Sequence, residues 1–283
     1  MGASTEEKRT DMSAAATRFL TSGEKLRDYL DSRHFADLVS MKRIVSESLM
    51  QTGRGGEWAD FIAHVAVHQL LKRLVCGAVA IVDGIEPLIA ERSTIQFVAD
   101  TMRHTDIRWG PRRVFERLEP CVRAATSEIG QATRKRLVKE AARLSPYCYL
   151  CGVDIDFSGN ATSEANPTLD HVWPRALGGE SVEENLLVAC ERCNNKKGES
   201  TWGLASVQAF TLGFLLPSTH HAFSRREIKI AQRSLFAHRI SAEKCISLKD
   251  AYLSLGRPTA LCPINHDDAF DFFNLTFDAA AGI

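Results

Sequence analysis

The sequence predicts an α+β protein: a mainly helical chain with one small, irregular module at its centre. Three observations predict it. Long stretches before residue 146 and after residue 200 space apolar residues at three and four. Residues 146–200 break that rhythm and are rich in Gly, Asn, Pro, Cys and Asp. That insert also holds two Cys-x-x-Cys pairs, Cys148/Cys151 and Cys190/Cys193.

The helical expectation comes from particular runs. Residues 14–30, 35–50 and 57–82 combine the apolar spacing with frequent Ala, Leu, Glu and Lys. Gly53 to Gly56 and Gly110-Pro111 interrupt these helices. Residues 132–144 form a basic helix that must stop at Ser145-Pro146, because a residue before proline avoids the helical region. This places the boundaries at 1–145, a helical N-terminal region; 146–200, the module; and 201–283, a helical extension with an acidic tail. Inside the module, 147–156 reads as a knuckle and strand and 168–172 as a short strand. Residues 185–189 lead into a helix starting near Cys190. A further helix is expected at 225–246 and an aromatic strand at 270–277.

Composition bounds the function. The chain has 283 residues, 45% hydrophobic and 25% charged, the profile of an ordinary globular protein. Its start is polar, with no apolar signal segment, and residues 61–82 are interrupted by Lys72-Arg73. A membrane role is excluded and a cytoplasmic protein is expected. In a reducing compartment the two cysteine pairs, 38 residues apart, read as one structural zinc site rather than disulfides. A segment with so few apolar residues gains its missing stability from such a metal. Cys76, Cys121, Cys245 and Cys262 stand alone and read as small buried apolar residues.

The formal net charge is zero, but its distribution is uneven. Residues 101–145 carry 11 basic and 5 acidic side chains, and residues 221–249 carry 7 and 2. The module carries 4 and 9. An acidic centre suits cations, and basic flanks suit a phosphate backbone. Two basic stripes stand out: Arg134, Lys135, Arg136, Lys139 and Arg143, and Arg225, Arg226, Lys229 and Arg233. A solvated helix face is the ordinary reading of either. His64 and His68 have the spacing of a zinc-protease helix but lack the following glutamate, and His220-His221 sits in a loop.

Between the cysteine pairs lies Leu169-Asp170-His171-Val172-Trp173-Pro174-Arg175, then Gly178-Gly179, then Asn185-Leu186. Asn194-Asn195-Lys196-Lys197-Gly198 follows the second pair. This series resembles the HNH endonucleases, in the variety with two Cys-x-x-Cys pairs. The resemblance implies a ββα-metal fold and divalent-metal hydrolysis of phosphodiester bonds in nucleic acid, DNA above all, leaving 5′-phosphate and 3′-hydroxyl ends. It implies His171 as general base, Asn185 as the residue that ties the loop and orients it, and Asp170 and Asn194 as ligands of a catalytic metal. The cysteines would hold Zn²⁺.

The chemistry agrees: hydrolysis needs a proton acceptor for water and a cation at the leaving oxygen. Many relatives carry histidine where Asn194 stands. An amide oxygen suits Mg²⁺ or Mn²⁺ better than zinc. Arg175, Lys196 and Lys197 are phosphate contacts by charge and place. Other readings are a zinc-stabilised DNA-binding or adaptor protein without catalysis, and the nuclease component of a bacterial defence assembly docked to a protein partner through residues 1–145.

Overall fold

A computed structural model of the chain describes residues 18–32, 55–104, 110–158, 165–197 and 225–258. The helices expected at 35–50, the His220-His221 loop, Cys262 and the strand at 270–277 lie outside these residues. Helix α1 covers 22–32. It is followed by α2 (Gly55–Val82), α3 (Pro87–His104), α4 (Pro111–Thr126) and α5 (Gln131–Leu144). The module contributes β1 (Pro167–His171), β2 (Leu186–Cys190) and α6 (Glu191–Lys197). The C-terminal helices are α7 (Arg225–Lys244) and α8 (Leu248–Ser254).

Local chemistry accounts for the boundaries. Pro111 opens α4, where the missing amide proton costs nothing. Val114, Leu118, Cys121 and Val122 then recur on one buried face. The Ser247 side chain caps α8 by accepting from the Asp250 amide at 3.0 Å. The sheet is one antiparallel pair, with Asp170 opposite Leu187 and His171 opposite Leu186. The segment expected as knuckle and strand makes the knuckle and only an isolated bridge, Tyr147 to Asp154.

Two apolar cores sit side by side. The first joins Leu26, Leu30, Leu71, Leu74, Val98, Leu118 and Cys121 of the N-terminal helices with Trp173 and Leu177 of the module. The second gathers the four paired cysteines, Leu169, Leu186 and Val188 with Leu137 of α5 and Ala237, Leu248, Ala251 and Tyr252 of α7 and α8. The module therefore shares its interior with both flanks.

Arg233 sits at the second junction. Its guanidinium donates to the Tyr149 carbonyl at 3.1 Å, the Tyr252 carbonyl at 3.1 Å, and the Gly256 carbonyl. Arg233, expected on a basic surface stripe, is instead a tie between the first knuckle and α8. Of the single cysteines, Cys121 is buried as expected. Cys76 and Cys245 are exposed, which corrects the reading of them as buried apolar residues.

Candidate active site and metal centre

The first knuckle begins after Pro146. Cys148 accepts from the Gly152 amide and donates to Val153, closing a tight loop. Gly152 has φ +75°, and a Cβ there would lie 2.4 Å from the Pro258 carbonyl, so glycine is needed. The second pair straddles the end of β2 and the start of α6. The topology thus brings four sulfurs together, all within 4.8 Å of one another and all buried. Cys151 and Cys190 are 3.8 Å apart. Tetrahedral zinc with ~2.3 Å bonds separates its sulfurs by about 3.8 Å, so this donor set fits a structural metal, with zinc the ion it suits. Burial pushes the Cys148 thiol well above its ordinary value, while hydrogen bonding to Cys148 lowers Cys190. Ionised together as metal ligands, four buried thiolates need a cation to balance their charge.

Asp170 and His171 end β1, and Asn194 is in the first turns of α6. These three line one cleft of about 510 Å³ together with Glu128, Ile129, Arg134, Pro174, Arg175 and Ala176. Successive strand residues normally point to opposite faces. Here β1 stops at His171, the chain bends through Val172 and Trp173, and both residues line the same cleft.

Each group is held by named partners. Asp170 is only 4% exposed; its Oδ2 accepts from the Tyr149 hydroxyl at 2.6 Å and from Lys197 Nζ at 2.7 Å. Lys197 also donates to the His171 carbonyl. His171 Nε2 lies 3.0 Å from Ser181 Oγ, and Ser181 in turn donates to the Ser127 carbonyl at 3.3 Å. With the imidazole proton on Nε2, the ring donates to Ser181 and Nδ1 is the acceptor. Burial, then the Lys197, Arg175 and Arg134 charges, pull His171 down to about 4, so the ring is neutral at neutral pH.

Asn185 is 2% exposed and works entirely on the backbone. Its Oδ1 accepts from the Trp173 amide at 2.7 Å, and its Nδ2 donates to the carbonyls of Trp173 at 2.9 Å and Glu180 at 3.0 Å. The Val172 amide also donates to the Asn185 carbonyl at 2.8 Å. Gly178-Gly179 is explained by the same crowding. Gly178 has φ +83°, and a Cβ on Gly179 would lie 2.0 Å from the Trp173 carbonyl.

The structure therefore brings together Asp170, His171, Asn194 and Arg175, with Asn185 behind them. The expected phosphate contact at Lys197 takes a different place. Lys197 is 1% exposed and its ammonium faces Asp170 rather than solvent. An isolated buried ammonium is too costly, and the carboxylate beside it offsets that cost. The side chain of Lys196 lies outside the described residues. Sequence reasoning missed Tyr149, Ser181 and Ser127. Tyr149 carried one signal, as the residue locked between the cysteines of a knuckle.

Residues 148–203 match the family model described as HNH endonuclease. Over 79 residues the chain is 32% identical to the CRISPR-associated endonuclease Cas9 of Corynebacterium diphtheriae. That match covers 26% of this chain and 7% of the relative, so the chain spans only a small part of the relative's length. No solved structure matches the chain. The matched segment, with its four clustered cysteines, is similar to an HNH module of the variety with two cysteine pairs. Among the described residues no helix is long and apolar enough to cross a membrane.

Proposed function

We propose that the protein is a divalent-metal-dependent endonuclease that hydrolyses phosphodiester bonds of DNA. The observation that carries this reading is the meeting of Asp170, His171 and Asn194 on one cleft, beside a four-sulfur site that fixes α6. Asp170 and Asn194 offer a carboxylate and an amide oxygen, hard donors that fit Mg²⁺ or Mn²⁺. When bound there, such an ion supplies Lewis-acid stabilisation at the leaving 3′ oxygen.

The remaining work belongs to the chain itself. His171 Nδ1 accepts the proton of the attacking water, and its neutral state at pH 7 leaves it ready to do so. Ser181 holds the ring by Nε2. Asn185 fixes the turn that follows His171. Tyr149 and Lys197 hold Asp170 by one oxygen. Arg175 lines the cleft and binds the phosphate, while its own position is set by the Ser127 carbonyl at 3.3 Å. The biological setting we propose is defence against foreign DNA, in keeping with the partial similarity to a CRISPR-associated endonuclease.

The test is supercoiled plasmid incubated with protein and Mg²⁺, Mn²⁺ or chelator, beside His171→Ala. Metal-dependent nicking by the wild type and its loss in the variant are expected. Equal nicking by both, or none by the folded wild type in either metal, would overturn the reading.

A further inference from the structure

The module's acidic sequence leaves an open problem: a phosphodiester must enter a cleft whose own strands and helix supply few cations. Within the cleft, Asp170 is already paired with Lys197. What remains facing the substrate is Arg175 from the module, Glu128, and Arg134 from α5. We propose that Arg134 binds the substrate phosphate in this cleft, opposite Arg175. The inference rests on the nuclease reading above and names a residue outside the matched segment 148–203.

Three features of α5 carry it. The helix is fixed to the module at its middle. Leu137 is buried in the second core, and Arg136 reaches the Glu183 carboxylate at 2.7 Å, ahead of β2. That fixation aims residue 134, one turn before Leu137, at the mouth of the cleft. Secondly, Arg134 is exposed and lines the same cleft as His171. A planar guanidinium at that place suits bidentate recognition of phosphate oxygens. Thirdly, the structure divides the basic stripe. Lys135, Lys139 and Arg143 are exposed on the side of α5 away from Leu137, and none of them lines the cleft. Only Arg134 has both charge and place.

Lys135 supplies a matched control, since it carries the same charge one residue along and about 100° around the helix. The experiment measures binding of a fluorescein-labelled DNA duplex over a range of salt concentrations, together with plasmid nicking rates in Mn²⁺, for wild type, Arg134→Ala, Arg134→Lys and Lys135→Ala. Arg134→Ala should bind about ten-fold more weakly, as for loss of a charge-assisted contact. Its slope of log affinity on log salt should fall by about one. Arg134→Lys should recover most of the slope, and Lys135→Ala should keep the wild-type slope. If the wild type nicks and binds but Arg134→Ala and Lys135→Ala behave alike, the assignment of Arg134 falls while the nuclease reading stands. If the folded wild type neither binds nor nicks, both fall. Circular dichroism and zinc content should match across all four proteins; a shift in Arg134→Ala alone would make Arg134 structural and overturn the assignment.

Discussion

Lys197 Nζ lies 2.7 Å from Asp170 Oδ2, and the two side chains are 2% and 4% exposed. Burial pulls the ammonium below its ordinary value, and the carboxylate pushes it back. The pair spans the module from the end of β1 to the end of α6, so it fixes where the cleft's carboxylate stands. Removing one partner leaves the other charge buried. Lys197→Met should therefore destabilise the protein by about 3–5 kcal/mol. Asp170→Asn combined with Lys197→Met should recover a large part of that loss, since no unpaired charge remains. Urea unfolding of the four proteins measures the coupling; additive losses would show that the pair is not a unit.

The four sulfurs and the cleft share α6: Cys193 precedes Asn194, and Lys197 closes the same short helix. Metal removal should therefore dismantle the cleft as well as the knuckles. Metal analysis should find about one zinc per chain, and Cys190→Ser should lose it. Zinc binding free energy in small thiolate sites is on the order of 10 kcal/mol and is coupled to folding. Chelated protein and the variant should thus lose nicking activity and show earlier thermal unfolding. A zinc-free protein with an unchanged melting temperature would remove the scaffold role of the cysteines.

Ser181 receives His171 Nε2 at 3.0 Å and passes its own proton to Ser127. This contact orients the ring and biases which nitrogen is the acceptor. Ser181→Ala frees the ring to adopt the other tautomer and should lower kcat by about ten-fold with little change in KM. His171→Ala removes the proton acceptor and should cost about 10²–10⁴-fold. Steady-state nicking rates distinguish the two. A Ser181→Ala protein with wild-type kcat would show that the ring is held by packing alone.

How far the sequence exposed these features depends on how local their causes are. Each cysteine pair is a three-residue spacing, and Asp170-His171 are adjacent, so the metal centre and half of the cleft were legible. The breaks at Gly110-Pro111 and Pro146 were legible because proline acts on its own neighbourhood. The Lys197–Asp170 pair was not, since a lysine near a helix end looks solvated until tertiary packing buries it 27 residues from its partner. Arg233 misled for the same reason: its three carbonyl acceptors come from the knuckle and from the end of α8. Arg134 carried the charge in the sequence, but only the burial of Leu137 beside it shows which way it faces. Trp173 sits inside the family-like motif, yet it packs with the N-terminal helices.

His68 on α2 links acid to stability. Burial, with help from Lys72 and Arg27, lowers its pKa from 6.5 to about 4. A histidine depressed in the folded state favours folding while it is neutral. That contribution is present in full above pH 6.5 and is lost as pH falls from 6.5 through 4. The shift corresponds to at most about 3 kcal/mol, reduced by the ring's partial exposure. Glu24 and Asp28 are raised by burial and have the opposite sign, their contributions being lost as pH rises. Only the variant isolates the histidine. His68→Gln should lose less stability than wild type between pH 7.5 and pH 4.5, measured by urea midpoint. Equal losses would show that His68 does not couple acid to unfolding.

Gly23 holds α1 against the loop that carries the site. A Cβ there would lie 1.9 Å from the Leu177 carbonyl and 2.2 Å from Trp173 Nε1. The Gly23 amide donates to the Gly178 carbonyl at 2.9 Å. Beside it, Ser22 donates from its amide to both oxygens of Glu180, at 2.9 and 3.0 Å. Trp173 Nε1 in turn donates to Leu177 at 2.9 Å. The Glu180 carbonyl is one of the acceptors of Asn185, so this contact continues to the turn behind His171. Gly23→Ala must push α1 away from residues 173–180, because the obstacles are backbone and a fixed indole. The cost should be about 1–3 kcal/mol. Nicking should fall with it, since the loop loses its outer support. Gly110→Ala meets nothing within 4 Å and has φ −65°, so it should change stability by well under that amount. Thermal unfolding and nicking rates of both variants decide the matter. A Gly23→Ala protein that melts and cuts like wild type would show that the N-terminal helices do not brace the module.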